Sequence, residues 1–108
     1  MIVKLIEPRA DYPELSNGQT YCVIGIEADD YRLLDDRGRP YLYPAELFAI
    51  VDAGEPEEWV ISTGDDGERY AYPAALNEPG FFEDFFEGRP ESITAFWRSV
   101  NQQLSRAA

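Results

Sequence analysis

Apolar residues recur along this chain at two spacings. Through the first 72 positions they fall in short alternating or continuous runs between turn-forming residues, and from about position 80 they return every three or four residues. The first spacing predicts strands and the second helices. Residues 1–6 (MIVKLI) alternate and are rich in β-branched side chains, the makings of a first strand. Residues 7–19 carry Pro8, Pro13 and Gly18 with few paired apolar positions, and read as a loop folded over the surface with a turn at Asn17-Gly18. Residues 20–27 (TYCVIGIE) are apolar on both alternating faces, so they predict a central or strongly curved strand. Gly25 in its middle marks a bulge or bend.

The next segment contains one phrase written twice: YLYPAEL at 41–47 and YAYPAAL at 70–76, each after an acidic turn, DDRGRP and DDGER. In the first copy residues 31–34 and a return strand ending at Tyr43 flank a turn at 35–38, where Asp and Gly supply tight conformations. Pro44 ends the ladder, AEL makes a single helical turn, and LFAIVD resumes as a strand. In the second copy EWVIS, TGDDGE, RYAY and PAAL repeat strand, turn, strand and single turn. The phrase therefore reads as one architectural corner used twice, with Leu47 and Leu76 dropping into the core and Ala45 and Ala74 allowing close packing. Tyr41 and Tyr43 share a strand face, as do Tyr70 and Tyr72. They predict either aromatic anchors for a partner or rings that close the ends of the sheet with hydroxyls in water.

The last third is helical. In FFEDFF, Phe81, Phe82, Phe85 and Phe86 occupy one arc, with Glu83, Asp84 and Glu87 opposite. Gly88 stops that helix and Pro90 opens the next, whose Ile93, Phe96, Trp97, Val100 and Leu104 form an apolar stripe. Both stripes predict docking on the sheet, and an exposed part of the Phe cluster would offer a surface for self-association.

Composition narrows the function more than the fold. A chain of 108 residues holds one domain, mainly β over 1–72 and helical over 80–105. Its formal net charge of −12 opposes direct binding to nucleic acid or to an anionic membrane, and suits a basic protein partner or simple solubility. There is no histidine, which excludes a Ser-His-Asp or Cys-His arrangement within the chain, as well as histidine metal ligation. The acidic pairs Asp29-Asp30, Asp35-Asp36 and Asp65-Asp66 lack calcium-loop spacing, and no Gly-rich phosphate loop is present. No catalytic residue, cofactor or metal is therefore assigned. The single cysteine, Cys22, lies in an apolar strand and points to a reducing, cytoplasmic setting. The first ten residues show no cleavage-site pattern and read as mature structure.

The stretch from Gly18 to Asp52, with YLYPAELFAIV entering a last strand after a proline and a single turn, resembles an SH3-like small barrel. That resemblance implies a groove near Pro44 with Tyr43 or Phe48, neighboured by the acidic hairpin. The tandem tryptophans and aromatic-rich first loop of peptide-binding members are missing, so proline-peptide recognition is not carried over. The run from Gly25 to Ser62 is also similar to a group of short bacterial proteins of unassigned role, some from toxin-immunity loci.

The expectation is an α+β domain: a strongly bent antiparallel sheet or SH3-like barrel with two C-terminal helices. The expected role is a non-enzymatic binding module, an immunity protein or inhibitor of a basic partner such as a nuclease toxin. Asp35, Asp36, Asp65 and Asp66 would supply charge and Tyr41, Tyr43, Tyr70 and Tyr72 the anchors. The alternatives are a nucleic-acid mimic, a carboxylate-dependent hydrolase and a structural domain that self-associates through its Phe cluster.

Overall fold

The apolar run at 20–27 is the spine on which everything else is hung. In the computed structural model, which describes residues 1–107, the elements in chain order are β1 (Ile2–Leu5), β2 (Thr20–Glu27), β3 (Asp30–Leu34), β4 (Pro40–Pro44), β5 (Phe48–Asp52), β6 (Trp59–Thr63), β7 (Arg69–Pro73), α1 (Phe81–Phe86) and α2 (Pro90–Ala107). All the strand pairings are antiparallel. One path runs β4-β3-β2-β1-β5. Strand β7 joins β2 as well, and β6 joins β7.

The long β2 holds two strands in succession on one edge. Its first half, Thr20–Cys22, pairs with β1, and its last residues, Ile26 and Glu27, pair with β7. Strand β3 occupies the other edge, and a register shift between Val23 and Gly25 places a bulge there. The extra residue reverses the alternation of side chains. Tyr21, Val23 and Ile26 consequently enter one core, with Leu33, Tyr43, Leu47, Phe48, Trp59 and Leu15 of the 7–19 loop. Ile24 enters a second, against Tyr72, Leu76, Phe81, Phe96 and Val100, which packs the helices on the opposite face. A strand apolar on both faces thus serves two cores.

The doubled phrase is built as one corner twice. In both hairpins a tight loop closes through the same backbone bonds: Gly38 N–H to Asp35 O at 2.9 Å and Gly67 N–H to Gly64 O at 3.0 Å. Gly38 and Gly67 have φ of 74° and 83°, a left-handed conformation that glycine adopts without steric cost. Pro44 and Pro73 end their ladders and single 3-10 turns follow at Ala45–Leu47 and Ala74–Leu76. The two copies then diverge in placement. Strand β2 bonds the first strand of one hairpin and the second strand of the other. Tyr43 and Leu47 accordingly face the first core, and Tyr72 and Leu76 the second.

Two sequence expectations need adjustment. The strand expected from Leu47 begins at Phe48, because Leu47 completes the 3-10 turn. The sheet is also open rather than closed into a barrel: β4 and β5 lie at opposite ends of its path. The C-terminal helices are where the periodicity places them, and Gln103 of α2 reaches back to the Val23 carbonyl at 3.0 Å and to Cys22 Sγ at 3.2 Å. Among the described residues no helix is long and apolar enough to cross a membrane.

Candidate functional site

The first hairpin tip is locked from within. Asp35 is buried, and its Oδ1 accepts the backbone N–H groups of Arg37 at 2.9 Å and Arg39 at 3.0 Å. The Tyr43 hydroxyl lies 2.9 Å from Asp35 Oδ2 and 3.0 Å from Glu14 Oε1, one proton facing two carboxylates. Burial, then those two carboxylates, pushes the Tyr43 phenol well above its ordinary value. Next to it, Asp36 accepts bonds from Ser16 Oγ at 2.5 Å and from the Tyr21 hydroxyl at 2.7 Å, fastening the 7–19 loop to the turn. Asp36 still shows a face to solvent; Asp35 and Tyr43, at 5% and 2% exposure, do not.

The second tip is open. Asp65 and Asp66 are exposed, and Asp66 N–H bonds Glu68 Oε2 at 3.0 Å. Behind them lies a polar hollow of about 360 Å³ between the β6–β7 hairpin and α1, walled by Glu27, Arg32, Ser62, Tyr70, Glu78 and Glu83 among others. At its base the Arg32 guanidinium is buried, donating to the Tyr72 hydroxyl at 2.6 Å, the Pro40 carbonyl at 2.7 Å and Glu27 Oε2 at 2.8 Å. The Tyr72 hydroxyl in turn donates to Glu27 Oε2 at 2.6 Å. Phe82 covers the guanidinium, 3.8 Å from ring centroid to Cζ. Burial raises the Tyr72 phenol, against the lowering pull of Arg32. With its own cation already paired, the hollow presents carboxylates to solvent and suits a positively charged group.

The structure therefore separates the residues that the sequence grouped. Tyr70 is half-buried beside the hollow, and Tyr72 is buried beneath it at 6% exposure. Tyr41 is 39% exposed and stacks on Phe86 at 5.0 Å and 7° between planes. Of the phenylalanine cluster, Phe81 is buried, Phe82 and Phe85 pack against Phe96, and Phe86 is 45% exposed on Tyr41. Arg32 and Glu27, which no sequence motif marks, complete the cluster with Tyr72. The signal for Arg32 was a lone cation inside the apolar run YRLL, whose paired strand position buries it.

The distribution of bases decides the surface potential. Arg9, Arg32, Arg39, Arg69, Arg89 and Arg106 each sit against a carboxylate, Arg106 on Glu58 and Arg69 on Glu55 at 2.5 Å. Among the described residues Lys4, Arg37 and Arg98 make no such pair, while most carboxylates remain free. Among the same residues no three acidic or thiol side chains are grouped to hold a metal ion. No protein-family profile, curated protein or solved structure matches the chain.

Proposed function

We propose that this is a small acidic protein-binding module without enzymatic activity, an inhibitor or immunity protein that occludes a basic surface, for example on a nuclease toxin. The observation that carries this reading is the surplus of unpaired carboxylates: six arginines each sit against an acid, only Lys4, Arg37 and Arg98 are unpaired among the described residues, and exposed Asp36, Asp65 and Asp66 lie at the hairpin tips with half-buried Tyr70 beside the second. Such a field accelerates encounter with a cationic partner. The contact set is narrower than the sequence implies: Asp35, Tyr43 and Tyr72 hold the scaffold, and the available anchors are Tyr41 and Tyr70. The order β2-β3-β4, a 3-10 turn, then β5, supports reading Gly18–Asp52 as an open relative of the SH3-like barrel.

The test is capture of basic proteins from a bacterial lysate at low and moderate salt, repeated with Asp65→Asn/Asp66→Asn/Tyr70→Ala. One cationic protein retained at moderate salt and lost by the variant is the expected outcome. Equal retention by the variant, or a diffuse set that vanishes with salt, would remove the reading. Displacement of the captured protein by DNA would favour the nucleic-acid mimic instead.

A further inference from the structure

Among the described residues three strands have a free edge: β4, β5 and β6. Unpaired edges offer rows of N–H and C=O groups to any extended chain, and proteins guard them with proline, lysine or charge. Strand β4 is guarded, since it begins and ends with Pro40 and Pro44. The other two carry no proline, and their one charged residue is Asp52 at the end of β5, which leaves Phe48–Val51 and Trp59–Thr63 uncharged. Beyond Phe48 and Trp59 every position in both strands is exposed. Ile50, Val51, Val60 and Ile61 are 55%, 58%, 40% and 57% exposed, so apolar side chains project from both faces.

The register places these two strands on one side of the molecule. Because β1 and β7 follow each other along the same edge of β2, their outer neighbours β5 and β6 follow each other too, and both run in the direction of β2. Asp52 leads towards Trp59 across residues 53–58, an acidic link containing Glu55, Glu57 and Glu58. The free edge is thus two successive apolar strand segments bracketed by carboxylates: Glu46 before, Asp52 and Glu57 between, Asp65 and Asp66 after. A second copy of the chain, itself at −12, would set these carboxylates against their like.

We propose that the β5–β6 edge is the docking site for an extended basic segment of the partner, which adds to the sheet as a further strand. Backbone pairing would supply the register, alternate apolar residues would cover Ile50, Val51, Val60 and Ile61, and flanking Arg or Lys would meet the carboxylates. This rests on the reading that the partner is basic, and it specifies how that partner is held.

The test is amide hydrogen exchange of the full chain with three synthetic ten-residue peptides at physiological salt. One alternates Arg with Val or Ile, one has the same charge but is interrupted by prolines, and one replaces Arg with Glu. The expected result is protection confined to residues 48–52 and 59–63 with the first peptide alone. Ile50→Ser/Ile61→Ser, with an unchanged circular dichroism spectrum, is expected to weaken that binding at least tenfold. Equal binding of the proline-interrupted peptide would overturn strand addition while leaving a basic partner in place. No binding by either basic peptide would overturn both. Protection of the same amides without peptide, growing with protein concentration, would make a second copy the occupant and overturn the proposal.

Discussion

At Asp35 a carboxylate that looks like a surface charge in the sequence is a structural keystone. Its buried carboxylate accepts two backbone bonds and the Tyr43 hydroxyl, so removing it takes the acceptor from two backbone donors and leaves that hydroxyl with Glu14 alone. Asp35→Ala should cost about 3 kcal/mol in urea unfolding. Asp65→Ala, at an exposed tip, should stay within about 0.5 kcal/mol. Similar losses for both would mean that the first tip is not locked as described. The buried phenols make a second prediction at this scale. Tyr43 and Tyr72 hold their protons more tightly folded than unfolded, so above the ordinary phenol value of 10.0 the unfolded chain binds fewer protons than the native one. Their contribution is complete below that pH and is lost as pH rises towards the folded-state values. Stability followed between pH 9 and 11, about one unit either side of that ordinary value, should fall, and Tyr43→Phe should flatten the fall. A pH-independent plateau in the parent would contradict it.

Among the elements, the periodicities placed both hairpins, both corners and both helices, because those follow from spacing and from Pro and Gly chemistry. What spacing could not convey is which core each copy of the repeated phrase serves. That depends on which strand of each hairpin meets β2, a long-range pairing with no local signature. For this reason Tyr43 and Tyr72 are interchangeable in the sequence, as partner anchors or as rings closing the sheet ends with hydroxyls in water, and the carboxylates that meet their hydroxyls, Glu14 and Glu27, lie 29 and 45 residues away. The bulge at Gly25 was signalled by the glycine, but its packing role was not. A Cβ there would lie 2.1 Å from Tyr72 Cε1. Gly25→Ala should therefore cost about 1–3 kcal/mol, and much less in a Tyr72→Ala background. Equal penalties in both backgrounds would move the cause away from that ring.

For the molecule as a whole, charge is the opposing force. Free carboxylates spread over one small domain repel one another, and salt screens exposed charges over about 10 Å at 0.1 M. Raising sodium chloride from about 10 to about 150 mM should therefore increase the urea midpoint; a decrease would mean that the Arg–carboxylate pairs outweigh the repulsion. The anionic balance was plain from composition, whereas the free strand edges emerged from topology. The Gln103 contact carries a different consequence. Cys22 is the chain's single thiol, half-buried on the face of β2 beneath α2. A thiol reagent reaches it more readily when the helix lifts, so the rise in modification rate above its value in the absence of denaturant reports those opening events. Measured against denaturant, a shallow dependence would show α2 peeling away alone. A steep one, matching global unfolding, would show that helix and sheet melt as one cooperative unit.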